Sequence, residues 1–472
     1  MSDNNSGVKK KIAIIGAGWY GCHLALTLSK AGFDVVIYEK NKIILNGVSG
    51  NFGIRAHKGP HYQLSPETRR TCQEALEKFC ELYPELVVQH DYSIYAHGLI
   101  DSKGNPSKVG KEHFENVCSE TSDCQPLDVE KTPYNKSEID SVMNLDEPSV
   151  VIGERLRKAL SDRLAAAGVE VNCNCPINTI KSTANVTKLT TENGEEHLFD
   201  HVINATGYQD FIPQKVKENF PVNMEVVYQP CLALKYRDLK PGDKPFSFIV
   251  MDGWFPCVMP CIEQNPFQHE YILTHGAFTI QASCDTPDKA YDVLERLTED
   301  YLLNIKTLSE HEIERFWPGF TNRFEYMGIK KAVLAKIKTK TEFRSAVTFE
   351  ADGVTHVIPG KITNVINVDP EVLALINNEN CLCENGIRFM KGGILDRARM
   401  EISSKPALGE PNTCTLDTFA ELNTKPTPTP PPISTPDSPG ALHYRFFKTD
   451  SATGDNANND LPLSANKGIK GI

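Results

Sequence analysis

The residues best suited to chemistry open the chain. Gly16-Ala17-Gly18-Trp19-Tyr20-Gly21 carries glycines with separate tasks: the first permits a tight turn, the second lets backbone approach a pyrophosphate, and the third lets a helix pack closely on a strand. Glu39, 18 residues beyond Gly21, falls where a carboxylate accepts hydrogen bonds from ribose hydroxyls, and Lys40 follows it. A second group is Arg55-Ala56-His57-Lys58-Gly59-Pro60-His61-Tyr62. His61 suits proton transfer because an unperturbed imidazole titrates near neutrality, and Tyr62 can position a ligand through its hydroxyl. Both are equally at home as satisfied structural groups. Arg344, in Glu342-Phe343-Arg344-Ser345, can clamp a carboxylate through two parallel hydrogen bonds; without an anion it is one more surface arginine. His57 and His61 are four apart, but the intervening glycine and proline disfavour a helix that would present both to a metal, and no metal site is expected. Cys257 and Cys261, Cys173 and Cys175, and Cys381 and Cys383 lack partner histidines and read as structural thiols.

These side chains need a scaffold, and the pattern supplies one. A short apolar strand over 12–15, a helix over 19–30 and a second strand over 34–39 make a βαβ unit, with Gly32 suited to the left-handed position that ends a helix. A helix is expected over 65–83, opened by Ser65-Pro66-Glu67. Residues 99–148 are polar and interrupted and read as an irregular insertion. Leu156, Leu160 and Leu164 then mark an amphipathic helix, with strands over 169–180 and 186–191. Residues 221–350 alternate in the manner of an antiparallel sheet, with one helix over 286–303; Trp254 and Phe255 there are pocket or core aromatics. Strands over 354–359 and 362–368 and a helix over 370–376 return the chain to the first domain. From 403 to 472 the proline- and asparagine-rich sequence cannot bury enough apolar surface to offset its ordering entropy, and a disordered tail is expected, with PxxP segments able to engage a protein partner.

The glycine fingerprint alone does not choose between FAD and NAD. The next segment, Gly47-Val48-Ser49-Gly50-Asn51-Phe52-Gly53-Ile54, resembles the loop of the D-amino-acid-oxidase-like flavoproteins that contacts the pyrophosphate and runs toward the isoalloxazine. Pro176-Ile177 looks like that family's adenine contact, and the strand ending in Ala205-Thr206-Gly207 is similar to its turn against the cofactor. The resemblance implies FAD contacts at Gly16 to Gly21, Glu39, Lys40, Ser49, Gly50, Asn51, Ile177 and Ala205 to Gly207. The family's glycine-rich C-terminal motif is missing; Gly360, Lys361 and Ile362 are the nearest candidates. It further implies an α/β fold: a discontinuous Rossmann-like FAD-binding domain on a parallel sheet (1–98, 149–220 and 351–402) with an inserted, mainly antiparallel substrate domain (221–350). The flavin would be non-covalent, since no attachment motif is recognised.

The bulk properties bound the function. At 472 residues with a formal charge of −11, the chain can hold about two to three domains and lacks a basic surface for nucleic acid. Fourteen scattered cysteines and a polar start without a signal-peptide core fit a cytoplasmic protein, and no segment is apolar enough to span a membrane. The expected reaction is oxidation of a small amine, amino acid or hydroxy acid by hydride transfer to flavin N5. The alternatives are a flavin-dependent mutase or isomerase of a sugar nucleotide, and a non-catalytic flavin-fold interaction protein.

Overall fold

The computed structural model describes residues 9–405 except 122, 184–185, 209 and 265–266. The tail and its PxxP segments lie, from residue 406 on, outside the described residues.

Lys11–Ile15 is buried on both faces apart from its first residue, as a central parallel strand must be. Asp34–Tyr38 and His201–Asn204 flank it in parallel register. The full sheet runs Cys381–Glu384, Ile387–Met390, Val347–Ala351, Val354–Ile358, His201–Asn204, Lys11–Ile15, Asp34–Tyr38 and Glu170–Asn172. Its centre is parallel and the edge contributed by the C-terminal segments antiparallel. The helix Trp19–Lys30 packs on it, and Gly32 at φ +94° closes the helix by donating to Ser29 O. The helix Pro66–Leu82 starts as expected, with the Ser65 hydroxyl accepting from the Thr68 N–H. Leu156, Leu160 and Leu164 form the buried stripe of Gly153–Ala166.

A second sheet of eight strands lies in the order Phe324–Ile337, Val226–Asp238, Glu270–His275, Pro256–Pro260, Phe246–Met251, Tyr92–Gly98, Ile139–Leu145 and Gln125–Leu127. Only the pairing of Phe246–Met251 with Tyr92–Gly98 is parallel. This corrects the expected domain limits. Residues 99–148 are not irregular: they supply the helix Lys111–Ser119 and two strands of this sheet, and Tyr92–Gly98 belongs to it as well. The chain leaves the first layer after Val87–Val88 and returns at Ser149–Val150; these two strands pair with each other, and Ile54–Arg55 completes the small connecting sheet.

Two further expectations change. Residues 362–368 form a 3-10 turn and the start of the helix Val365–Asn377 rather than a strand. Their β-branched composition favours a strand, but Val365, Val368, Val372 and Leu375 are buried at helical spacing, and burial overrides propensity. The helix expected over 286–303 is two, Pro287–Glu295 and Glu299–Phe316, because Thr298 caps a second start by accepting from the Tyr301 N–H.

Candidate active site

A cavity of about 790 Å³ opens at the C-terminal ends of the parallel strands and continues along the second sheet. This is where ligands bind in open α/β sheets, at the point where connections diverge. Gly16, Ala17, Gly18, Trp19 and Tyr20 line it, as do Glu39, Lys40, Ser49, Ile177, Ala205, Thr206, Gly207, Gly360, Lys361 and Ile362, and His61, Tyr62 and Arg344 from the other groups. Three residues expected at the cofactor are off its wall. Gly21 sits behind the turn, where an added Cβ would lie 1.9 Å from Gly16 O; Gly50 is closed off by Leu45 O at the same distance. Asn51 turns its amide back onto Asn46 O and Gly47 O and accepts from Arg157, so it ties the loop together instead of facing the cavity.

The turn leaves room for an anion. Gly16 adopts φ +101°, and a Cβ there would meet Ala205 O at 2.7 Å. At Gly18 only Ser49 Oγ, 3.8 Å away, would touch a Cβ, leaving the cavity side open. The helix it starts has neither a side-chain cap nor an acid in its first turn, so its N–H groups and positive dipole end are available to a pyrophosphate. Glu39 has further work: Oε2 accepts from the Ala17 N–H at 2.7 Å, and Oε1 accepts from the backbone and side-chain amides of Asn41. Oε2 keeps a lone pair for a ribose hydroxyl, whereas the two bonds from Asn41 fill Oε1. Across the cavity, Tyr20 pins the turn at 360–361 by accepting from the Gly360 N–H at 3.0 Å and donating to Lys361 O at 2.6 Å.

Sequence reasoning singled out His61 without the network beneath it. Arg55 and Glu147 are buried to 2% and 0% side-chain exposure and lie 3.7 Å apart. Arg55 donates to Tyr95 OH at 2.8 Å and to Ser247 Oγ at 3.3 Å; Tyr95 donates to Glu147 Oε2 at 2.7 Å; the Lys58 N–H donates to Glu147 Oε1 at 2.7 Å. His57 Nδ1 stands 3.2 Å from Arg55 Nη2, and its ring stacks on His61 with centroids 4.8 Å apart. Burial, the His57 ring and the cations of Arg55 and Lys361 hold His61 well below its ordinary pKa. The argument for His61 from a near-neutral pKa therefore fails: the imidazole stays neutral at physiological pH. Glu147 was missed because it stands in a polar stretch, beside Pro148, far from its partners in sequence.

Tyr62 is held protonated chiefly by burial, and its hydroxyl has no partner among the described residues. Lys361 Nζ lies 4.8 Å from the Tyr62 ring centroid. Burial, with Arg344 next, lowers Lys361 to about 7, and the same two causes lower Lys336, also on the wall, to about 7. Arg344 keeps Nη1 buried without a partner, while its own N–H donates to Thr68 Oγ1 at 2.9 Å. Trp254 and Phe255 both line the cavity.

This two-layer fold, with a glycine turn at its cavity, belongs to the FAD-dependent oxidoreductase (DAO) family, whose model matches residues 11–329. The chain is 48% identical over 422 residues to the FAD-dependent monooxygenase kojA of Aspergillus flavus, covering 88% of this chain and 98% of that protein. It is 26% identical over 378 residues to the FAD-dependent monooxygenase FPY4 of Fusarium mangiferae, covering 78% and 92%. Among solved structures, it shares its fold with glycine oxidase from Geobacillus kaustophilus (TM-score 0.58, 13% identity, 79% of this chain and 96% of that one). NikD, an unusual amino acid oxidase essential for nikkomycin biosynthesis, gives TM-score 0.59 at 14% identity, over 78% of this chain and 94% of that one. The protein is an FAD-dependent oxidoreductase, and the open glycine turn and uncapped helix start fit the cofactor. No described helix is long and apolar enough to cross a membrane.

Proposed function

We propose that the enzyme oxidises a small amine, amino acid or hydroxy acid at a carbon bearing nitrogen or oxygen, and of these favours the carboxylate-bearing amino and hydroxy acids. The observation that carries this is the buried, unpartnered Arg344 Nη1 on the wall of a cavity shared with the unpartnered Tyr62 hydroxyl. A buried donor left unpaired costs about 1–3 kcal/mol, which an incoming carboxylate relieves. Bound FAD, held non-covalently by the turn at 16–20, by Glu39 and Lys40, by Ser49, and by the segments at Ile177, 205–207 and 360–362, supplies a two-electron acceptor. Arg344 holds the carboxylate, Tyr62 donates to a second polar atom, and Trp254 and Phe255 keep water from the reacting carbon. Neutral His61 and His57 can accept a proton only weakly, whereas the neutral form of Lys361 is the better acceptor near pH 7. Fourteen scattered cysteines favour a reducing compartment, and the cytoplasm is the proposed location.

The test is anaerobic: a panel of amino acids, amines and hydroxy acids is added to the FAD-loaded protein, and loss of the oxidised-flavin absorbance identifies the substrate. Arg344→Met is expected to lower kcat/KM for that substrate by about ten- to a hundredfold, mainly through KM, since a hydrogen bond to a charged group is worth about 1.5–3 kcal/mol. Equal effects on an uncharged analogue would remove Arg344 from the clamp.

A pH effect follows from the two lysines. Each has its folded-state pKa depressed, so each is protonated and anion-attracting below about 7 and neutral above it. Affinity for a small carboxylate, read from perturbation of the flavin spectrum, should fall as pH rises through about 7, and fall less steeply in Lys361→Met, where Lys336 alone still titrates there. For the free protein the sign is opposite: the unfolded chain binds more protons between the folded values near 7 and the ordinary lysine value, so stability rises with pH across that window.

The names of kojA and FPY4 favour a second reading, insertion of one oxygen atom into the substrate. Turnover under isotopically labelled dioxygen separates the two: label in the organic product supports monooxygenation, and label only in reduced oxygen supports oxidation.

A further inference from the structure

Arg344 is carried by the turn at 339–345, which joins the last strand of the second sheet to Val347–Ala351 of the first. Glu342 sits there at φ +57°, a left-handed conformation that costs free energy in a residue with a side chain and persists only where its surroundings fix it. The fixing groups come from two helices. From Pro66–Leu82, Thr68 Oγ1 accepts from the Arg344 N–H at 2.9 Å, and Thr71 Oγ1 lies 2.6 Å from Ser345 Oγ. From the end of the chain, Ser404 O accepts from the Lys340 N–H at 3.2 Å, and Glu401 Oε2 accepts from Thr341 Oγ1 at 2.8 Å. Glu401, in the helix Ile394–Ser403, takes the Ser65 hydroxyl on the same oxygen.

Glu401 decides the direction of these bonds. An ionised carboxylate only accepts, so the Ser65 proton points at Oε2. Thr68 Oγ1, 2.7 Å from Ser65 Oγ, must then be the donor to Ser65, and its oxygen is left to accept from the Arg344 N–H. One chain results, from the Arg344 N–H through Thr68 and Ser65 to Glu401, with both hydroxyls pointing toward the carboxylate. Ser65 and Thr68 are fully buried, and of the four residues only Arg344 lines the cavity. On the other side, a Cβ added to Gly360 would meet Arg344 O at 2.6 Å, so the Arg344 backbone is held between Thr68 and the turn at 360–361.

We infer that Glu401 is a positioning residue for Arg344: it orients the hydroxyl chain that fixes the Arg344 backbone, and with it the place of the guanidinium against a substrate carboxylate. The inference rests on the reading of Arg344 as the carboxylate clamp. Without Glu401 the Ser65 and Thr341 hydroxyls lose their acceptor, Ser65 is free to turn its proton toward Thr68, and the turn at 339–345 loses its tie to the last helix. The guanidinium then samples several positions, while the glycine turn at 16–18 makes no contact with the chain and is untouched.

The test uses full-length, FAD-loaded protein and two probes of similar shape, benzoate and neutral benzamide, titrated through the flavin absorbance. Amide hydrogen exchange of the segment 339–346 is followed by mass spectrometry alongside. In Glu401→Ala, exchange there should quicken and benzoate affinity fall, each by about tenfold, the worth of one hydrogen bond, with benzamide within about twofold of wild type. Glu401→Gln keeps an oxygen for both hydroxyls and should restore both readouts. Thr68→Val keeps the shape of the side chain, deletes the middle hydroxyl and should reproduce the loss for benzoate alone; it carries the test if Glu401→Ala unfolds. Unchanged exchange in these variants overturns the inference, as does equal weakening of benzoate and benzamide. Faster exchange with benzoate weakened only in Arg344→Met also overturns it, since the tether then does not reach the clamp. Faster exchange with benzoate binding intact even in Arg344→Met supports the tether and overturns the Arg344 clamp itself.

Discussion

Glu147→Ala should destabilise the folded protein by about 3–5 kcal/mol, the cost typical of stranding one member of a buried ion pair. Removing the carboxylate leaves the Arg55 guanidinium without its counter-charge and the Tyr95 hydroxyl and the Lys58 N–H without their acceptor, in a place with almost no access to water. Arg55 Nε already lacks a partner, so the loss cannot be shared. The measurement is urea unfolding of the FAD-loaded chain, with flavin release and far-ultraviolet dichroism followed together. Glu147→Gln retains the shape and one acceptor oxygen and should lose less. The double variant Arg55→Met with Glu147→Leu should recover most of the loss, because well-packed apolar replacements of a buried pair are often neutral or better. A loss below about 1 kcal/mol in Glu147→Ala would mean that solvent or a neighbouring group replaces the carboxylate, and the network would not be the support of the His57 and His61 wall.

The second large effect separates folding from cofactor binding. In Gly21→Ala the new Cβ would lie 1.9 Å from Gly16 O, a backbone atom that cannot swing aside. The usual helix-interior gain of about 0.5–1 kcal/mol for alanine over glycine is outweighed, and overpacking of this kind costs about 1–3 kcal/mol or more. The turn at 16–18 must shift, so both stability and FAD affinity should fall, the latter by about ten- to a hundredfold. Gly18→Ala is the contrast. Its Cβ meets only Ser49 Oγ at 3.8 Å, so the apoprotein should unfold at the wild-type midpoint while FAD affinity drops, because the methyl group occupies the space the pyrophosphate approaches. Equilibrium titration of apoprotein with FAD, paired with unfolding of the same apoprotein, reads both quantities. Retention of wild-type FAD affinity in Gly18→Ala would move the phosphate contact away from this turn.

Local patterns carried the fold class because they need only short stretches of chain. The strand, glycine turn, helix and second strand of residues 11–38 are each specified by neighbours a few positions away, and so are the Ser65 cap and the leucine stripe of 153–166. The polar segment 99–148 misled for the opposite reason. Gln125–Leu127 is only three residues long and lies at the sheet edge, and Ile139–Leu145 pairs with Tyr92–Gly98 across an intervening helix and loops, so no local periodicity announces them.

By itself the sequence determined the βαβ unit, the glycine turn and the acid just after the second strand, since glycine conformations and apolar periodicity are properties of consecutive residues. Only the tertiary structure decided which polar groups share one cavity and in what charge state. Arg55 meets Glu147, Tyr20 grips the turn at 360–361, and Lys361 sits among Tyr62, Arg344 and Arg55. Desolvation and Coulomb interaction depend on distance and burial in space, and neither can be read from positions along a chain.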